Sequence, residues 1–288
     1  MRPSSDSAAP QPAPAASTGT DVGSQPNRSP AAHFATTDSL SAYWRFYWAV
    51  AGAQLASWLP ETPGRILDLS GPDFRCAQRA TAAGHDVVTL LPSPEMARRR
   101  HLTLINGNAQ PPPQPSLGRL RQVVGEPMLL PSFGAGVFDG VIADNRVLSR
   151  HLATEASLTE IVRVLRPGGR VLLCVDSVVL GMALLAEQDC WPELSHARSA
   201  DVLLVPWPDG SITRCFTGDQ LTELLNEVGL ETEWTKPRTV LSASTVDTMM
   251  ADGGPRALNH LVEMELKAAD SDDYVGVHIL ASARKPTA

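Results

Sequence analysis

The chain has 288 residues, 43% of them hydrophobic, with 24 Lys and Arg against 31 Asp and Glu and a formal net charge of −7. That length and apolar content suffice for one large domain, or one domain with a cap. An acidic chain lacks the basic face that nucleic acid or an anionic lipid surface requires, so the expectation is a cytoplasmic protein with neither as a partner. No run approaches the ~18 apolar residues of a membrane helix. Cys76, Cys174, Cys190 and Cys215 form no close pair, which argues against a disulfide framework or a zinc knuckle and for a reducing compartment. No histidines and acids share a ligand spacing on one element, so no metal is expected.

Residues 1–30 are Pro, Ala, Ser and Gly with almost nothing to bury, and read as a disordered tail. Residues 31–288 read as a single domain. In DSLSAYWRFYWAVAGAQLASWLP, five aromatics fall within Tyr43–Trp48 and a helical apolar pattern follows. Asp38 or Ser39 is the expected N-cap and Pro60 the stop. This helix, assigned to 31–60, is expected to pack on the main domain as a lid. A βα rhythm follows, with strands expected at Arg65–Leu69, His85–Leu91, Arg121–Gly125, Gly140–Asp144 and Arg170–Asp176. Helices are expected over Pro72–Ala83, from Ser93 towards Arg100, and over Thr154–Leu165. The fifth strand is continuously apolar, as burial on both faces demands. DVLLVPW and ITRCF around PDGS predict a hairpin. FTGDQLTELLNEVGL predicts a helix capped by Thr217 and stopped at Gly229. A helical segment in PRALNHLVEMELKAA precedes a last strand in VGVHILASARK. Alternating strands and helices imply an α/β fold with a doubly wound, mostly parallel sheet. Residues 190–216 and 240–272 read as insertions, the first a small cap after strand five.

ILDL, GHDVV, PSPEMARR, VFDGVIAD, LTEIVRVLRPGGRVLL and FTGDQLTELLNEVGL, in that order, resemble the class I S-adenosylmethionine methyltransferases. The resemblance spans roughly Ser57 to Lys285 and implies a Rossmann-like methyltransferase fold. Two departures matter. The family's first turn is a GxGxG loop that lets backbone approach the cofactor. Here the three glycine positions hold Ser70, Pro72 and Phe74, with Gly71 one position off. The family's acid at the end of strand two takes the ribose hydroxyls of the cofactor. Here that position is Leu91, which cannot accept them. Asp68, Gly71, Glu126 and Asp144 are the residues the resemblance leaves for S-adenosylmethionine if it binds.

The loss of both contacts favours an enzyme that needs no cofactor, with S-adenosylmethionine as the alternative. In such a fold the site lies beyond the carboxyl ends of the strands. Candidate catalytic residues there are Asp144, Asn145, His151 and Asp176, with Asp144 as general base. Candidate substrate-binding residues are His33, Tyr43, Trp44, Tyr47 and Ser70. His278, in the last strand, reads as a buried and satisfied core residue. Relatives of the family catalyse cyclisations in natural-product pathways. The resemblance and its departures together therefore favour an intramolecular displacement, such as closure of a small nitrogen ring like an aziridine. The substrate would be a small molecule, free or carrier-bound, and the protein alone or in a homo- or hetero-oligomer. A genuine small-molecule N- or O-methyltransferase and a non-catalytic partner subunit are the alternatives.

Overall fold

Alternating aliphatic side chains build the sheet and send successive residues to opposite faces. The computed structural model describes residues 39–71, 73–95, 118–126, 128–207, 209–271 and 275–287. The expected tail, His33 and most of the segment after strand two lie outside them. The central strands are β1 (Arg65–Asp68), β2 (Asp86–Leu91), β3 (Leu120–Val124), β4 (Phe138–Ala143) and β5 (Leu165–Ser177). They pair in the order β3-β2-β1-β4-β5, all parallel. Leu67, Val88, Leu90, Val141, Leu173 and Val175 enter one core layer. Ile66, Val87, Leu91, Ile142, Leu172 and Cys174 enter the other.

Helices cover both layers. α1 (Ser39–Trp58) and α2 (Arg75–Ala82) lie on the second face, through Leu55, Trp58, Ala77 and Ala80. The short α3 (Val147–Arg150) follows β4, and α4 (Thr154–Val164) packs Leu158, Ile161 and Val164 on the first face. After β5 come α5 (Val178–Glu187), α6 (Trp191–His196), β6 (Leu203–Pro206) and β7 (Ile212–Phe216). β6 and β7 form the expected antiparallel hairpin, and β7 pairs in parallel with Asp176 and Ser177 at the end of β5. α7 (Gly218–Glu227) opens with a capping box in which Thr217 and Gln220 satisfy each other's backbone N–H groups.

Two of the remaining elements depart from the sequence reading. β8 (Glu231–Arg238) is a strand the reading did not foresee, and α8 (Ala243–Asp252) is a helix it did not foresee. α9 (Ala257–Ala269) then leads to β9 (His278–Arg284), which pairs antiparallel with both β5 and β8. β8 mixes charged residues with Pro237, a composition at home only on a sheet edge, and β9 is the one strand it pairs with. β5 is also longer than expected, because LRPGG continues the strand rather than preceding it. α8 and α9 close over α1, where Tyr43, Phe46 and Val50 pack with Val246 and Leu261. Among the described residues no helix is long and apolar enough to cross a membrane.

Candidate active site

β1, β4 and β5 each deliver an aspartate at the carboxyl end: Asp68, Asp144 and Asp176, all fully buried. Their partners give them different chemistry. Asp68 Oδ1 accepts the Ser70 N–H at 3.0 Å, and its Oδ2 has no hydrogen-bond partner. Burial pushes this carboxyl up to about 6, against the pull of the Ser70 hydrogen bonds. Asp144 is clamped by Arg238 at the end of β8. Nη1 donates to Oδ1 at 2.6 Å and Nη2 to Oδ2 at 3.2 Å, and neither side chain is exposed at all. The Asn145 N–H also donates to Oδ1, and Arg238 Nε donates to Gln54 Oε1 at 2.7 Å.

Asp176 is held on one side only. Thr213 Oγ1 donates to Oδ2 at 2.6 Å, while Oδ1 makes no hydrogen bond. Oδ1 faces Arg146 Nη1 at 3.7 Å and His278 Nε2 at 3.6 Å. Burial raises the Asp176 carboxyl, with Arg146 and Thr213 partly opposing it. His278 Nδ1 lies 2.6 Å from Thr239 Oγ1. Burial first, then the positive charges of Arg146 and Arg238, push this imidazole well below its usual range, so it is neutral at pH 7. Tyr47 meets His278 edge to face at 5.7 Å, and its buried hydroxyl has no partner.

Backbone strain concentrates here. Asn145, Arg146 and Thr239 have φ of 58°, 61° and 65°, a left-handed conformation that is a genuine outlier for β-branched threonine. The Asn145–Arg146 turn, tied by the Asn145 amide to the Ser70 carbonyl, carries Arg146 to Asp176 and to the Trp207 ring, 5.8 Å from the guanidinium. Above this floor lies a cavity of about 670 Å³, whose walls include Tyr43, Tyr47, Arg146, Arg150, Trp207 and His278. The size suits a small molecule. Burial and the neighbouring Arg146 both lower the Arg150 guanidinium, so two cations face one space. The arrangement can hold an anionic group between aromatic walls and take up a proton beside it.

The structure thus brings Tyr43, Trp44 and Tyr47 to the cavity wall, with Asp176 Oδ1 beside His278 Nε2. It does not bring His151, whose Nδ1 lies 2.8 Å from Ser157 Oγ near the start of α4. Asn145 acts through backbone geometry. Asp144 lines none of the cavities described, and its oxygens are already engaged. A base must reach the proton it removes, so the geometry makes Asp144 a strut rather than the base the sequence suggested. Arg146, Arg150, Trp207, Arg238 and His278 were not found from sequence. Arg146 and Arg150 flank one helical turn, and the other three come from three further segments that no spacing connects to it.

The positions expected to hold S-adenosylmethionine carry other occupants. Ser70 is buried, and its hydroxyl accepts the Asp144 N–H at 3.2 Å. Phe74 keeps the left-handed backbone of a glycine, with φ 58°, yet its ring is 3% exposed. Leu91 is 0% exposed, and both side chains belong to one apolar cluster with Ile66, Ile142 and Leu172. Gly71, at φ 110°, keeps the turn, and Glu126 is exposed. Leu91 cannot accept a hydrogen bond from a ribose hydroxyl, and the buried Phe74 ring stands where the family has glycine, so these two positions do not fit the family's cofactor contacts.

Comparison with known proteins rests on structure. A methyltransferase from Methanosarcina mazei described as S-adenosylmethionine-dependent matches over 82% of this chain and 98% of its own, with TM-score 0.54 and 16% identity. The fold is that of the class I methyltransferases. The 4+2 cyclase SpnF matches over 83% of this chain and 81% of its own, with TM-score 0.51 and 18% identity. A putative methyltransferase in complex with the Trm112 activator from Haloferax volcanii matches over 83% and 90%, with TM-score 0.52 and 15% identity. At these identities the likeness is one of fold. No protein-family model and no curated protein sequence matches the chain.

Proposed function

We propose that this methyltransferase-fold protein is a cofactor-independent natural-product enzyme catalysing an intramolecular displacement, with the Asp176–His278 pair as general base. The observation that carries the reading is the His278 imidazole at the cavity wall, its Nε2 3.6 Å from a buried Asp176 oxygen that makes no hydrogen bond. The apolar filling at Phe74 and Leu91 supports the absence of a methyl donor, and a fold neighbour that is a cyclase gives it precedent.

In the tautomer whose Nδ1–H donates to Thr239 Oγ1, Nε2 is the nitrogen that accepts a proton. A substrate amine gives that proton to Nε2 as its nitrogen attacks the neighbouring carbon. The N–C bond forms, the bond to the leaving group breaks, and the leaving group departs as an anion towards Arg146 and Arg150. The imidazolium is stabilised by Asp176 Oδ1, and pairing of the anion with Arg146 removes part of what depresses His278. Holding amine and carbon in line selects the reactive conformer of the substrate without any cofactor.

The test is incubation with a panel of amines bearing a leaving group on the adjacent carbon, followed by mass spectrometry without added S-adenosylmethionine. Ring closure above the buffer rate, lost in His278→Ala, is expected. The reading fails if products appear only with S-adenosylmethionine and carry an added methyl group. Calorimetric titration with S-adenosylmethionine and S-adenosylhomocysteine is expected to give no heat, and micromolar binding would favour the methyltransferase alternative.

A further inference from the structure

A second cleft, of about 690 Å³, lies on the other side of α1, between that helix and α2. α1 contributes Trp44, Arg45 and Trp48, and α2 contributes Arg75, Gln78 and Arg79. No carboxylate lines it, although the chain as a whole carries a net charge of −7. Three guanidiniums therefore gather where the average surface is acidic.

Two features position Arg75 and Arg79. Trp44 and Trp48, one helical turn apart, stack at 6.4 Å and 26°, and the Arg75 guanidinium lies 4.9 Å above the Trp48 ring. Arg79 crosses α1 at Gly52, where a Cβ would sit 2.1 Å from its Cζ. A glycine inside a 20-residue helix is unfavourable for the helix itself, and here it makes room for that guanidinium. Arg75 has an ion pair with Asp73 at 3.5 Å, whereas none is recorded among the described residues for Arg45 or Arg79.

We propose that the α1–α2 cleft binds a phosphate ester, its phosphate on Arg45, Arg75 and Arg79 and its organic part against Trp44 and Trp48. Guanidinium forks match phosphate oxygens, and indole faces suit a planar base or a thin aliphatic stem. The ligand is either a nucleotide or the phosphopantetheine arm of a carrier. Trp44 also lines the cavity over His278, so the two spaces share a wall. The site stands whether or not the cavity performs ring closure, because its readout is binding.

The test is titration of the full chain with pyrophosphate, ADP, 4′-phosphopantetheine and unphosphorylated pantetheine, followed by tryptophan fluorescence and calorimetry. The phosphate probes are expected to bind, more weakly as salt rises, and pantetheine to bind at least tenfold less. Binding by ADP alone identifies a nucleotide, and by phosphopantetheine alone a carrier arm. Arg45→Gln/Arg79→Gln is expected to weaken binding about tenfold or more. Gly52→Ala keeps the charge and favours the helix, yet displaces Arg79, and is expected to weaken binding while the protein stays folded. No binding by any phosphate probe, or equal binding by wild type and the arginine variant, would overturn the proposal.

Discussion

Arg238→Met isolates the ion pair beneath the site. The substitution keeps the bulk of the side chain and removes its charge. Asp144 would then be a fully buried carboxylate facing apolar atoms, and Gln54 Oε1 would lose its donor. Removing one partner of such a pair costs about 3–5 kcal/mol. For a chain of this size that corresponds to a fall in Tm of roughly 10 °C. Urea denaturation followed by circular dichroism measures it directly. Adding Asp144→Leu removes the stranded charge, so Arg238→Met/Asp144→Leu is expected to recover most of the loss, short of about 1–3 kcal/mol for the orphaned Asn145 N–H. The double variant also separates the two roles considered for Asp144. If Asp144 is a strut, the double variant still closes rings. A double variant less stable than the single, or folded but inactive at every pH, would refute the reasoning.

Asp68 supplies a pH signature. Its folded-state value of about 6 lies above the ordinary 3.8, so ionisation is harder in the folded protein. Stability from this group is therefore complete below pH 4 and falls as pH rises to about 6, by roughly 3 kcal/mol. Asp68→Asn should remove that decline, and parallel stability–pH curves for wild type and variant would contradict it. Asp176→Asn is expected to lower turnover by about a hundredfold or more while substrate binding changes little, since the amide cannot stabilise the imidazolium; a KM effect alone would argue against a role in proton transfer. Thr217→Ala breaks the capping box of α7 and should cost about 1 kcal/mol in urea denaturation without changing turnover.

What the sequence disclosed follows from what periodicity carries. The aliphatic runs of β1, β2, β4 and β5 announce strands buried on both faces, and Thr217 with Gly229 brackets α7. β8 escaped because an edge strand with Pro237 and alternating charge resembles a loop. The centre of the site escaped for a different reason. Asp144 and Arg238 are 94 residues apart, and only the pairing of β8 with β9 places the arginine under β4. His278 read as a core residue, which its burial bears out, but the open oxygen of Asp176 beside it is visible only in three dimensions. The substitutions at Phe74 and Leu91 were legible one by one. Their membership of one apolar cluster was not, since it depends on the loop after β1 folding back onto β2.

That shared cluster makes the family's cofactor contacts hard to build into this chain. Restoring glycine at position 74 alone would empty a buried ring volume, at a cost of about 3–5 kcal/mol. Restoring an acid at position 91 alone would place a charge among Ile66, Ile142 and Leu172. Each single step lowers stability before any affinity for a nucleoside is gained, so both must be taken at once. The apolar filling acts as a ratchet: substitutions that alter the cavity over His278 cost less stability than those that would open this cluster to a polar ligand.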